Sequence, residues 1–119
     1  MTDFVLLYRT SDPAAMAERT PEEAERSMAR WRAWFREMHG KGQLKTVGLP
    51  LQPTGKTVNG ASKMITDGPY AESKEVVGGF SVILAKDAAE AARIARGCPV
   101  LEAGGSVEVR PVLDIPLDF

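Results

Sequence analysis

Phe80-Ser81-Val82-Ile83-Leu84, then Asp87-Ala88-Ala89-Glu90, then Ser106-Val107-Glu108-Val109-Arg110-Pro111-Val112 form the stretch that decides the fold of this chain. The first run is short, apolar and rich in strand formers, so it reads as a buried strand. Asp87 stands where a helix cap belongs, and Glu90, three residues on, can reach back to it. Ala91, Ile94, Ala95 and Cys98 then fall on one helical stripe. Small residues there let the helix lie close to a sheet. Gly97 and Pro99 end it. The last run alternates, with Val107, Val109 and Pro111 on one side and Glu108 and Arg110 on the other. This is a strand–helix–strand unit.

The N-terminal half repeats it. Phe4-Val5-Leu6-Leu7-Tyr8 reads as a central strand, broken by Ser11-Asp12-Pro13. Thr20-Pro21-Glu22-Glu23 is a helix start: Thr20 caps, Pro21 suits the first helical position and Glu23 closes a capping box. Ala24, Met28, Trp31, Phe35 and Met38 follow at alternating spacings of four and three, with Trp34 at the stripe's edge. Gly40 and Gly42 end the helix. Leu44 to Leu49 reads as a strand stopped by Pro50 and Pro53. Between the two units, residues 57–66 read as a hairpin turning at Asn59-Gly60, the favoured pair for a tight turn. The order predicts an α+β fold, a ferredoxin-like βαββαβ sandwich with an extra hairpin and both helices on one face. The other face is left bare. A chain this small is expected to hide it against a second copy, as a homodimer. Residues 113–119 read as a tail on a single domain spanning 1–119.

Composition narrows the function classes. The 15 basic residues are offset by 16 acidic ones, for a net charge of −1, so direct nucleic acid binding has no electrostatic basis. No apolar run is long enough to span a membrane, and the N-terminus lacks a signal-peptide pattern. The one cysteine, Cys98, allows no disulfide within the chain, which fits a cytoplasmic location. With one Cys and one His, a Cys/His zinc site within one subunit is not expected. Gly78-Gly79 leads into a strand rather than a helix, so no nucleotide-phosphate cradle is expected. No cofactor or metal is expected.

The candidate site is Asp67-Gly68-Pro69-Tyr70-Ala71-Glu72-Ser73-Lys74-Glu75, a charged segment between two apolar runs. Asp67 admits two readings: a general base or polar ligand, or an Asx turn in which its carboxylate accepts backbone N–H bonds while Gly68 takes positive φ. Glu72 and Glu75 can share a proton or hold a hard cation, or they are a solvated charged surface neutralised by Lys74. Tyr70 and Tyr8 can line a pocket near Asp67, or simply pack. Arg110 can hold a substrate carboxylate bidentately, or form a structural ion pair. His39, near the end of the first helix, favours the helix dipole rather than catalysis. Asp67 and Glu72 are the candidates for proton transfer. Tyr8, Gly68, Tyr70, Lys74, Glu75 and Arg110 are the candidates for binding an unidentified small polar molecule.

The same residues carry a family resemblance. Asp67-Gly68-Pro69-Tyr70, then Ala71-Glu72-Ser73-Lys74-Glu75, then Gly78-Gly79-Phe80 resemble the signature of the YCII-related family in its DGPF-type branch. Supporting matches are the first strand ending at Tyr8, Gly48-Leu49-Pro50-Leu51, Cys98-Pro99 and Val107-Glu108-Val109-Arg110-Pro111. The resemblance spans roughly Phe4 to Val112. It implies a homodimeric α+β barrel and no settled reaction. Relatives in the wider family carry a proposed His–Asp site, and some DGPF-type members are associated with extracytoplasmic-function sigma factors. Two readings therefore stand: a small-molecule site with acid–base activity, or a non-catalytic regulatory domain. This chain departs from the wider pattern between Arg9 and Thr20, where it has no histidine, and Tyr70 replaces the commoner phenylalanine.

Overall fold

A computed structural model describes residues 1–12, 15, 18–68 and 75–118. Its described elements run in the order β1 (Thr2–Thr10), α1 (Pro21–Gly40), β2 (Leu44–Pro50), β3 (Lys56–Asn59), β4 (Met64–Asp67), β5 (Val76–Ala85), α2 (Ala88–Ala95), a 3₁₀ turn (Pro99–Leu101) and β6 (Ser106–Pro111). Strands β2, β5, β1 and β6 lie side by side in that order, and every neighbouring pair is antiparallel. Each helix therefore connects two parallel strands that flank a third. This is the ferredoxin-like α+β arrangement expected from the sequence. The β3–β4 hairpin forms its own two-stranded ladder outside that sheet.

Alternation along the strands builds the core. Phe4, Leu6 and Tyr8 of β1 and Ser81, Ile83 and Ala85 of β5 are buried, while their sequence neighbours point to the opposite face. Trp34 and Met38 of α1 and Ala91 and Ala95 of α2 cover the buried side. The caps form as expected: Glu23 N–H donates to Thr20 Oγ1 at 3.1 Å, and Glu90 N–H to Asp87 Oδ1 at 2.9 Å.

Two local expectations are corrected. Met28 is 48% exposed, whereas Trp34, assigned to the stripe's edge, is only 7% exposed. Helical spacing gives a stripe, but the packing of α1 over Tyr8 decides which side of it faces in. Tyr8 and Trp31 meet edge to face at 4.8 Å, and the Trp31 and Trp34 centroids lie 5.9 Å apart, a geometry that aromatic quadrupoles favour. The hairpin does not turn tightly at Asn59-Gly60. Residues 60–63 form the connection, with Lys63 N–H donating to Gly60 O and Lys63 at φ 58°. The side chain of Asn59 bonds across the ladder to Thr66 Oγ1 instead.

The joint between β2 and β5 depends on one glycine. Gly48 has φ 69°, and a Cβ there would lie 1.8 Å from the Phe80 carbonyl oxygen. Only glycine lets this irregular strand approach so closely. Beside it, Tyr8 Oη–H donates to Ser81 Oγ at 2.7 Å, and Ser81 passes a hydrogen bond to Val47 O at 2.7 Å. This chain of bonds satisfies the buried hydroxyls and ties β1, β5 and β2 together.

The second face of the sheet is covered by no helix among the described residues. Val5, Leu7, Phe80, Val82 and Leu84 lie there half-buried. Among the described residues, no helix is long and apolar enough to cross a membrane.

Candidate functional site

Asp67 closes the β3–β4 ladder opposite Lys56, and its carboxylate pairs with the Lys56 ammonium. It is an open position, with the side chain 89% exposed. Gly68 has φ 71°, the left-handed conformation expected of a turn glycine. The backbone N–H groups that an Asx turn at Asp67 would use lie outside the described residues. Gly68 N–H donates to Gly55 O at 2.6 Å, and Gly68 O accepts from Thr57 Oγ1 at 2.7 Å. Backbone and threonine close the base of the hairpin, and among the described residues the Asp67 carboxylate pairs with Lys56.

Tyr70, Glu72 and Lys74 lie outside the described residues. Glu75, at the end of the same segment, is firmly placed. Its Oε2 accepts from Arg9 Nε at 3.2 Å and from Ser106 Oγ at 2.9 Å. Arg9 Nη1 also reaches Glu108 Oε1 at 3.4 Å, and Glu108 Oε2 accepts from Arg110 Nη1 at 3.1 Å. The result is a row of alternating charge, Glu75–Arg9–Glu108–Arg110. Register places it: Arg9 is opposite Ser106, Leu7 opposite Glu108 and Val5 opposite Arg110. The charges therefore border the half-buried apolar patch on the face away from the helices. Glu75, Arg9 and Glu108 retain only 30%, 37% and 35% of their side-chain exposure. Such partial burial strengthens each pair relative to a fully solvated one.

The expected binding set is thus divided. Tyr8 and Arg110 lie on opposite faces of the sheet, because Tyr8 is opposite Val107, which packs on the core, while Arg110 is two residues beyond Glu108 on the other side. Strand alternation forbids one pocket from using both side chains directly. Tyr8 belongs to the core, and burial pushes its phenol well above the ordinary value despite the bond to Ser81. Among the described residues, no hydrogen bond or ion pair joins Asp67 to Tyr8, Glu75 or Arg110. Glu75 and Arg110 share one charged row. Arg9 and Ser106, which complete it, were not anticipated. Arg9 continues the alternation Val5-Leu7-Arg9 on the uncovered face, a charge at the end of an apolar row. That break in pattern was the available signal.

Cys98 is buried, and burial pushes its thiol up to about 12, so it stays a neutral thiol in the core. Among the described residues, no three His, Cys, Asp or Glu side chains are grouped to hold a metal ion.

A ferredoxin-like α+β domain with a charged row bordering an uncovered apolar sheet face is the class that the geometry defines. The chain matches the YCII-related domain over residues 3–116, almost its entire length, and it belongs to that family. A search among curated proteins gave no match.

Proposed function

We propose that this YCII-related chain, of the DGPF type by its Asp67-Gly68-Pro69-Tyr70 signature, works as a cytoplasmic homodimer that binds a small polar molecule beside residues 67–75. Two copies join through their uncovered sheet faces and close an α+β barrel. Val5, Leu7, Phe80 and Val82 then leave water, and the charged row becomes the rim of the cleft. The observation that carries the reading is the anchoring of Glu75 by Arg9 and Ser106, which brings the end of the signature segment to that rim. Arg9 and Arg110 suit an anionic group, since a guanidinium can hold a carboxylate or phosphate bidentately. Tyr70 and Lys74 complete the binding side. Asp67 or Glu72 carries proton transfer where the bound molecule is turned over. Tyr8 supports the site from behind the sheet.

Sedimentation of the full chain tests the assembly: a dimer is expected at micromolar concentration, and Phe80→Asp is expected to give folded monomers. Calorimetric titration with small carboxylates and inorganic phosphate tests the site, with binding expected in the parent and lost in Arg9→Gln. A parent chain that sediments as a monomer and binds none of these anions overturns the proposal.

One observation favours a second reading. Within the row, Arg9 is paired with Glu75 and Glu108, and Arg110 with Glu108. A charge row so fully paired can also be a clasp in a non-catalytic regulatory domain that works with an extracytoplasmic-function sigma factor. In that case Arg9→Gln weakens the dimer and leaves anion titrations as flat as the parent's.

A further inference from the structure

A cavity lies on the helix side of the sheet, opposite the charged row, between the C-terminal half of α1 and α2. It is a groove of about 390 Å³, within the range typical of small-molecule sites. Trp34, Met38 and Ile94 form an apolar floor, and Glu90, Arg93 and Gly97 stand at its α2 side. Two polar groups there lack partners. The Trp34 side chain is nine-tenths buried, yet its Nε1–H makes no hydrogen bond among the described residues. The Arg93 side chain likewise makes no ion pair or hydrogen bond among the described residues. The other charges along the groove are occupied: Lys41 pairs with Glu37 at 3.0 Å, and Glu90 Oε1 accepts from Lys86 N–H at 3.1 Å.

Gly97 sets access to the indole. A Cβ at this position would stand 2.9 Å from Trp34 Nε1 and 3.2 Å from its Cδ1. Any larger residue would cover the N–H edge. Among the described residues no buried side-chain nitrogen or oxygen lacks a partner, so the unbonded indole N–H is open to the groove, where an entering acceptor can take it in place of water. An apolar floor, an unpartnered N–H and an unpaired guanidinium together suit one chemical class.

We propose that the α1–α2 groove binds a small carboxylate with an aromatic or branched apolar body. The carboxylate accepts from Trp34 Nε1–H and from the Arg93 guanidinium, and the body lies on Met38 and Ile94. This site is separate from the charged row and does not depend on the reading of that row.

The chain has two tryptophans, so its proton–nitrogen correlation spectrum shows two indole N–H signals, assigned with Trp31→Phe. Phenylacetate is titrated into the full-length protein, with phenylacetamide as the neutral isostere. The Trp34 indole signal is expected to move downfield and saturate, while the Trp31 signal moves little. The amide and the exposed-site variant Arg93→Gln are each expected to weaken binding about tenfold, the scale of one charge-assisted hydrogen bond. Glu90→Gln, which removes the competing negative charge from the rim, is expected to tighten it. Gly97→Ala is expected to abolish the Trp34 shift, and Arg93→Gln keeps the test independent of whether that variant folds. A Trp34 signal that does not saturate, moves no more than that of Trp31, or responds equally to acid and amide overturns the proposal.

Discussion

The two faces of the four-stranded sheet are built from alternate residues of the same strands, yet they are finished differently. On the helix side, Phe4, Leu6, Ile83 and Ala85 are sealed under Trp34, Met38 and α2, and the buried hydroxyls of Tyr8 and Ser81 are hydrogen-bonded. On the other side, Val5, Leu7, Phe80 and Val82 are half-buried and bordered by paired charges. The first face has everything it needs within one chain. The second has an apolar centre and a charged edge, the arrangement on which the proposed homodimer rests. Stability is therefore written on one face, and the proposed association rests on the other.

Adjacent leucines break this comparison most sharply. Leu6 is fully buried, so Leu6→Ala is expected to remove about 2–5 kcal/mol of stability, through lost transfer free energy plus the cavity left behind. Leu7→Ala is expected to remove less than half as much in dilute protein, and its effect should grow with protein concentration as the dimer forms. Urea unfolding at two concentrations measures both. Equal, concentration-independent losses would mean that the second face is not an interface.

Gly48→Ala comes next, because it strikes where β2 meets β5 on both faces at once. The added Cβ would collide with the Phe80 carbonyl, and alanine at φ 69° is strained. A loss of about 1–3 kcal/mol is expected from the backbone conformation, with loss of amide protection concentrated at Leu49 and Phe80 in hydrogen exchange. A variant as stable as the parent would show that β2 is not pinned there.

Tyr8→Phe probes the sealed face more gently, at about 1 kcal/mol for one buried hydrogen bond. It also carries a pH signature. Burial raises Tyr8 above its ordinary value of 10.0 and Cys98 from 9.0 to about 12. Both groups are neutral when protonated, and the folded chain holds those protons more tightly than the unfolded one. Their contribution is therefore complete below pH 9.0, where both states are protonated, and it is lost as pH rises from there towards 12. Stability measured across that window should fall, less steeply in Tyr8→Phe than in the parent. A parent whose stability is flat over the same window would contradict this.

How much of this was legible depends on the range of each interaction. The strands and caps were readable because period-two alternation and the Thr20 and Asp87 caps act over two or three residues. The side of α1 that faces in was not readable, since Met28 and Trp34 exchange roles through packing on Tyr8, a contact between separate elements. The hairpin was placed correctly while its turn was not, because Asn59 spends its side chain on Thr66 rather than entering a two-residue turn. At the site, Glu75 and Arg110 could be named from local chemistry. Their connection through Arg9 and Glu108 could not, as it joins residues 66 and 99 positions apart. Tyr8 and Arg110 stood together as binding candidates on their side-chain chemistry; only the register between β1 and β6 shows that they face opposite ways.

The smallest expected effect falls on the residue that first drew attention. Asp67 sits at the end of an exposed hairpin, and its partner Lys56 is exposed as well. Solvent-exposed ion pairs contribute little, so Asp67→Asn is expected to change the stability of the isolated chain by no more than about 0.5 kcal/mol. That near-neutrality is what makes the variant useful. If Asp67 serves the bound molecule, Asp67→Asn loses anion binding or turnover while urea midpoint and sedimentation stay at parental values. If it serves the dimer, the dimer dissociates at higher protein concentration than the parent's while the monomer unfolds as before. A large loss of monomer stability would contradict the placement of its side chain in solvent. Because the exposed Lys56–Asp67 pair itself contributes so little, whatever the variant loses beyond it bears on the bound molecule or on the dimer.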